Sequence, residues 1–203
     1  AQLSRGLGDV YKRQKKTSND IKSEIAEEVK KITESGNRPP HLAAVIVGSD
    51  GASLTYVGSK VKACEKVGYE STLIKLPSET TEDELLNQVE ELNKNDSIDG
   101  YIVQLPLPSH IDTQTILMAV DPDKDVDGFH PTNFGKMSLN LPTFISATPS
   151  GILELLKRYK VQTEGKNTVV LGRSDIVGKP ISILMGLKTC LLYTSPSPRD
   201  SCA

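Results

Sequence analysis

The chain reads as an α/β protein with a mostly parallel sheet between helices, a three-layer arrangement. Three observations predict it. Helical and strand patterns alternate along its length, the order that a parallel sheet requires. The run "LAAVIVG" at 42–48 is apolar at successive positions, as in a strand buried on both faces. The runs "YIVQLPLP" at 101–108 and "NTVVLG" at 167–172 each leave a strand for a loop of Pro or Gly. Open α/β sheets place their ligands at such carboxyl ends.

The elements follow in order. Ile21, Ile25, Val29 and Ile32 form a stripe at helical spacing, closed by Gly36. After the 42–48 strand, a helix is predicted over 52–67, with Leu54, Val57, Val61 and Cys64 inward and Gly68 as its stop. "STLIKL" at 71–76 is the next strand, and Leu85, Leu86, Val89 and Leu92 mark the next helix. The strand at 101–108 is followed by a short helix near 113–120 and a loop, "DPDKDVDGFHPTN". Thr148-Pro149 reads as a hydroxyl N-cap followed by proline at the first helical position. Ile152, Leu155, Leu156 and Tyr159 continue that helix. "NTVVLG" opens a second α/β unit, and Pro180 opens the helix after it.

Both ends carry a different kind of message. Asp9–Gln14, DVYKRQ, can be encoded by GAT GTG TAT AAG AGA CAG. The reverse complement of that DNA, read one base out of frame, encodes Cys190-Leu191-Leu192-Tyr193-Thr194. The match extends outward, from Ser4–Gly8 to Pro196–Arg199. One DNA cassette therefore flanks the gene in opposite orientations and resembles a sequencing adapter from transposase-based library preparation. Ser/Pro composition alone would read as a disordered tail, but complementarity at both ends explains more. Residues 1–14 and 190–203 are therefore set aside as translated adapter. The expected domains are 15–147 and the start of a second, truncated one at 148–189. The native termini are expected to lie outside this chain.

The chain carries 24 basic and 26 acidic residues. Setting aside the four basic and two acidic residues of the two ends leaves a more acidic remainder with no basic stripe, which argues against a nucleic-acid partner. Cys64 is then the one remaining cysteine, which gives no disulfide framework and fits a reducing compartment. No apolar run approaches the roughly 20 residues of a membrane span.

Four groups of residues could carry chemistry. Ser53, Tyr56 and Lys60 share one edge of the second helix. They are either a boundary tyrosine beside an exposed lysine, or an aromatic ring that holds a flat substrate against a lysine base. Gln104 interrupts an apolar strand and needs a polar partner, which is either backbone or ligand. Asp121, Asp123, Asp125 and Asp127 precede Gly128 in a loop that is either a solvated turn, a calcium site or a set of carboxylates facing an N–H-rich ring. Its spacing lacks the glycine and glutamate of an EF-hand. His130 beside it is either a ligand or a structural loop histidine. In "VVLGRSDIVGKP", Gly172 and Gly178 permit a tight turn at a helix N-terminus, suited to phosphate. Arg173 and Ser174 add a cation and a hydroxyl where a 2′-phosphate would be read, which leans towards NADP. A plain glycine turn is the other reading.

Taken together, "VGSDGASLTYVGSKVKACEKVGY", "DGYIVQLPLP", "DKDVDGFHPTNFGKMS", "ATPSGILELL" and "VVLGRSDIVGKP" resemble blocks of the bifunctional methylenetetrahydrofolate dehydrogenase/methenyltetrahydrofolate cyclohydrolase family. The resemblance covers residues 15–189. It implies an N-terminal folate-binding catalytic domain and the start of a Rossmann-type NADP-binding domain. Lys60 matches the catalytic lysine, Tyr56 the ring that stacks on the folate, Gln104 the residue that tunes the lysine, and Asp127 the pterin-binding aspartate. Ser53, Val103 and Leu105 fall with the substrate-binding residues. Gly172, Arg173, Ser174 and Gly178 match the dinucleotide turn. The family usually has cysteine where this chain has Ala147, a position that the chemistry does not require.

The implied activity is one-carbon metabolism that feeds purine biosynthesis. The methylene bridge of 5,10-methylenetetrahydrofolate is oxidised with NADP, and the methenyl product is hydrolysed to 10-formyltetrahydrofolate. A cytoplasmic homodimer without metal, nucleic acid or membrane partner is expected. This fragment by itself is expected to be inactive. The rivals are another two-domain NADP dehydrogenase, of the shikimate or amino-acid kind, and a folate-binding fragment without turnover.

Overall fold

The computed structural model of the 203-residue chain describes the backbone of residues 2–48, 51–187 and 191–195 and the side chains of residues 14–48 and 55–187. It divides into two compact units, Ala1–Ile116 and Leu117–Ala203.

The first unit contains α1 (Gln2–Glu34), β1 (His41–Val47), α2 (Gly51–Val67), β2 (Glu70–Leu76), α3 (Glu82–Lys94) and β3 (Gly100–Val103). Its three strands are all parallel, in the order β2-β1-β3. The central strand, β1, carries the continuous apolar run that predicts a strand buried on both faces. Ala43 to Val47 are all buried, and Val45 lies in register with Ile74 on one side and Val103 on the other. At the edge, β2 is only partly covered, and Leu73 is 36 % exposed.

Two of the three helices bury most of their predicted stripes: α3 buries Leu85, Val89 and Leu92, whereas along α1 only Val29 is buried and Ile32 is 38 % exposed, and the Leu54 side chain of α2 lies outside the described residues. Along α2, Val57, Cys64 and Val67 are buried, while Val61 is half-covered. Gly68 ends the helix at φ +83, where Tyr69 N–H reaches back to Cys64 O at 2.9 Å. A β-carbon there would lie 3.3 Å from Val29 Cγ1, so α1 and α2 approach closely at this turn. α3 starts with a capping box. Thr81 Oγ1 accepts from Glu84 N–H at 3.3 Å, and Glu84 Oε2 accepts from Thr81 N–H at 2.8 Å. The amino ends of β1 and β3 are tied by a carboxylate fork. Arg38 donates to both oxygens of Asp99 at 2.6 and 2.9 Å, and His41 N–H donates to Asp99 Oδ2 at 2.8 Å.

The division falls within α4 (Thr113–Ala119), and the second unit contains the end of that helix, then α5 (Pro131–Ser138), α6 (Ala147–Arg158), β4 (Asn167–Leu171), α7 (Gly178–Gly186) and β5 (Leu191–Ser195). β4 and β5 pair in parallel. α1 extends back to Gln2 and β5 lies at 191–195, so both reach into segments to which the sequence reading gives no element. The Leu-Leu-Tyr-Thr composition of β5 suits a strand whatever its origin.

Four boundaries differ from expectation. β3 stops at Val103, so Gln104 is the first residue beyond the strand and not an interruption within it. Its own N–H still continues the ladder, donating to Val45 O at 2.9 Å, and the prolines at 106 and 108 lack the N–H to carry it further. The loop expected at 121–133 turns into α5 at Pro131. α6 begins at Ala147 with Ser146, not Thr148, at the N-cap position: the Ser146 carbonyl accepts from Ser150 N–H at 3.0 Å, while its hydroxyl donates to Ile176 O at 2.8 Å and makes no cap bond. α7 begins at Gly178, two residues before Pro180. Pro149 and Pro180 therefore stand at the third position of their helices, where the N–H would have no intrahelical partner anyway.

Candidate functional site

In the first unit, the chemistry gathers on α2 and at the carboxyl end of β3. α2 starts just after β1, so its amino end lies at the carboxyl end of the central strand. Tyr56 and Lys60 are one helical turn apart. The Lys60 ammonium stands 4.8 Å from the centroid of the Tyr56 ring, within the range of a cation–π contact. Tyr56 is 59 % exposed, whereas Val57 beside it is fully buried. The ring is thus held at the surface by a residue rooted in the core, and its free face is open to a planar ligand. Ser53 lies on α2 in the same stretch, but its side chain lies outside the described residues.

Val103, Gln104 and Leu105 run out of the adjacent strand. Val103 is buried, while Gln104 and Leu105 are half-buried. Gln104 Nε2 donates to Leu105 O at 2.7 Å, which fixes the amide plane. Its Oε1 is buried and has no hydrogen-bond partner among the described residues. A buried acceptor left without a donor costs about 1–3 kcal/mol. Such a group marks a place where the fold waits for a donor from a ligand or a mobile cation.

In the second unit, Asp127 occupies a tightly built loop. Gly128 N–H donates to Asp125 O at 3.1 Å, closing a turn whose two central residues are Val126 and Asp127. Gly128 has φ +67, and a β-carbon there would lie 2.7 Å from Ser146 N. Only glycine lets the loop lie against the 144–146 backbone. Asp127 is half-buried. His130 is a helix cap and not a ligand. Its Nδ1 accepts from Thr132 N–H at 3.1 Å, and its Nε2 faces Met118 O at 3.3 Å, which places the proton on Nε2. A histidine N-cap gives no sequence signal comparable to Ser, Thr, Asp or Asn, so the start of α5 is not announced by its residues.

The Gly172–Gly178 turn has the tight geometry that its glycines predict. Gly172 has φ +151, and a β-carbon on Gly178 would stand 2.5 Å from Gly172 C and O. Ser174 closes the turn from within. Its Oγ accepts from Gly178 N–H at 3.2 Å and its carbonyl from Lys179 N–H at 2.9 Å. Pro180 has no N–H. The first three residues of α7 therefore have no donor to spare, contrary to the expectation that the helix N-terminus supplies them. An anion here would be met by the turn itself and by the exposed Arg173. The turn forms part of the wall of a cavity of about 540 Å³, whose apolar lining includes Ile152, Leu156, Leu171, Val177, Ile181 and Met185. That volume suits a small ligand or part of a dinucleotide, and glycine backbone beside apolar walls fits the expected cofactor.

Among the described residues, no group of His, Cys, Asp and Glu is placed to hold a metal ion, and no helix is long and apolar enough to cross a membrane. Burial pushes the Cys64 thiol above its ordinary pKa, so it is a core residue and not a nucleophile. The sequence reading gave no role to Asn133, Thr143 or Ser146. They pack around the aspartate loop and carry no motif of their own.

Two family descriptions match the chain. The tetrahydrofolate dehydrogenase/cyclohydrolase catalytic domain matches residues 13–127, and the NAD(P)-binding domain of the same family matches residues 146–197. A bifunctional protein FolD from Flavobacterium psychrophilum is 70 % identical over 174 residues, covering 86 % of this chain and 59 % of the relative. The chain thus spans about three-fifths of the length of the curated relatives it matches. Among solved structures, the Campylobacter jejuni FolD methylenetetrahydrofolate dehydrogenase/cyclohydrolase is 40 % identical with a TM-score of 0.88, covering 90 % of this chain and 65 % of that one. The Trypanosoma brucei FolD, complexed with NADP cofactor and inhibitor, is 32 % identical with a TM-score of 0.85, covering 92 % and 64 %.

Proposed function

The chain belongs to the tetrahydrofolate dehydrogenase/cyclohydrolase family, and from that premise we propose that it is the folate-binding and first cofactor-binding part of an enzyme of one-carbon metabolism. The reaction has two steps. Hydride leaves the methylene bridge of 5,10-methylenetetrahydrofolate, and water then adds to the methenyl cation to give 10-formyltetrahydrofolate. When bound, NADP supplies the hydride acceptor. Gly172, Arg173, Ser174 and Gly178 would hold it, with Arg173 as the cation for a 2′-phosphate.

The remaining roles belong to this chain's own side chains. Tyr56 offers an exposed ring on which the flat folate stacks. Val103 and Leu105 contact the substrate beside it, and Ser53 is assigned to the same set. Lys60 activates water for the hydrolysis. A methenyl cation beside an ammonium favours the neutral amine, the form that takes a proton. Gln104 Oε1 accepts a hydrogen bond from the lysine or from substrate and fixes its orientation. The Asp127 carboxylate accepts from the N–H groups of the pterin and offsets the positive charge that develops. The observation that carries the reading is the Lys60 ammonium over the Tyr56 ring. The domains are read as 15–147 and 148–189, the flanking segments as translated adapter, and the parent enzyme as a cytoplasmic homodimer.

The reading is tested in two stages. The chain itself should bind tetrahydrofolate at equilibrium and form no NADPH from 5,10-methylenetetrahydrofolate and NADP. In a protein with the full length of the relatives, Lys60→Met should abolish hydrolysis of methenyltetrahydrofolate. An unchanged hydrolysis rate in that variant sinks the assignment.

A further inference from the structure

We propose that Asn133 is a positioning residue for the Asp127 carboxylate, acting with Asp125 in front of it and Thr143 behind it. The inference rests on reading Asp127 as the pterin-binding group. Asn133 is 1 % exposed and Asp125 is 5 % exposed. Asn133 Nδ2 donates to Asp125 Oδ2 at 2.9 Å and to Pro122 O at 2.8 Å. Its Oδ1 accepts from Thr143 Oγ1 at 2.7 Å. One amide therefore joins the segment before Asp127 to the segment after α5, with both of its amide atoms engaged.

Asp125 passes this restraint across Asp127. Its Oδ2 also accepts from His130 N–H at 2.8 Å, and its carbonyl accepts from Gly128 N–H at 3.1 Å. Asp127 is enclosed between these two bonds, one residue from Gly128 and three from His130. The Gly128 backbone, packed against Ser146, removes the remaining freedom on the far side. The donors to Asp125 Oδ2 are neutral amides, so the carboxylate serves as a shaped acceptor. A carboxamide offers two donors and an acceptor in one plane, and Asn carries it on the shortest stem. Leucine of similar volume would leave Asp125 Oδ2, Pro122 O and the Thr143 hydroxyl each short of a bond.

A role confined to stability would affect every ligand contact alike, so coupling to Asp127 is the decisive readout. Tetrahydrofolate binding to the whole chain is measured for wild type, Asn133→Ala, Asp127→Asn and the double variant. Amide hydrogen exchange at Gly128 and His130 is measured on the same samples. We expect Asn133→Ala to accelerate exchange at both amides and to weaken binding about tenfold, the size of one or two lost hydrogen bonds. In the Asp127→Asn background it should weaken binding less than about twofold. Thr143→Val, which removes only the bond behind Asn133, should act in the same direction and more weakly while keeping the fold. Equal weakening in both backgrounds, or unchanged exchange in folded Asn133→Ala and Thr143→Val, overturns the proposal. A wild-type chain with the two amides protected but no affinity for tetrahydrofolate overturns the folate reading. In that case the Asp127 carboxyl titration, followed by NMR, decides the positioning role: a shift in Thr143→Val supports it, and an unchanged titration overturns it.

Discussion

The Lys60 ammonium and the Tyr56 ring face each other across one turn of α2, 4.8 Å apart. The ring is exposed and contributes little to the core, so its removal should be read in binding and not in folding. Tyr56→Ala should weaken tetrahydrofolate binding about tenfold, while Tyr56→Phe stays within about threefold. Fluorescence titration of the folded variants checks this. Equal affinities for wild type and Tyr56→Ala would remove the ring from the site.

Gln104 holds a buried acceptor that nothing in the described chain satisfies. Gln104→Met keeps the shape and deletes that acceptor together with the bond to Leu105 O. The two effects oppose each other, so unfolding stability should remain within about 1 kcal/mol of wild type. Hydrolysis in the full-length context should nevertheless fall by at least about tenfold. A large loss of stability would assign Gln104 to the fold and not to the site.

Gly178 and Gly186 both lie in α7 but differ in their surroundings. A methyl group on Gly178 meets Gly172 backbone at 2.5 Å, whereas one on Gly186 meets nothing within 4 Å. Gly178→Ala should cost about 1–3 kcal/mol and disrupt dinucleotide binding. Gly186→Ala should be neutral or stabilise by up to about 1 kcal/mol through helix propensity. Chemical denaturation of the two variants compares them directly.

Asp99 is held below the ordinary carboxylate range, first by the hydrogen bond from Arg38. A carboxylate depressed by folding adds stability above its unfolded pKa, and that stability is lost as pH falls through the folded value. The melting-temperature gap between wild type and Asp99→Asn should therefore be full above about pH 4 and close progressively below it. Glu84, Glu90 and Asp112 are also depressed and remain in both proteins. The difference therefore isolates Asp99. A gap that widens on acidification would contradict the fork as the cause.

Much of this architecture was legible because it depends on local periodicity. The successive apolar residues of β1, the stripe through Val57 and Cys64 and the glycines of the 172–178 turn each prescribe an element from neighbouring residues alone. Tyr56 and Lys60 could be paired from their spacing for the same reason. Element boundaries fall away from their expected places where the group that sets them is not announced by residue type. Ser146 holds the N-cap position of α6 through its carbonyl while its hydroxyl bonds Ile176 O, so the Thr148-Pro149 signal points two residues too late. α5 begins behind a histidine cap that composition does not announce.

The sequence by itself determined the α/β order, the parallel sheet with one strand apolar throughout, the family, and the side chains with reactive potential. Only the tertiary structure decided which donors and acceptors are already engaged. It left Gln104 Oε1 without a donor among the described residues, engaged the Gly178 and Lys179 N–H groups with Ser174, and tied Asp125, Asn133 and Thr143 into one buried network. The physical reason is range. Secondary structure follows from contacts within a turn or a strand, whereas hydrogen-bond satisfaction in a core joins residues 10 or 30 positions apart, as in Thr143 to Asn133 and Ser146 to Ile176, and exists only once the chain has packed.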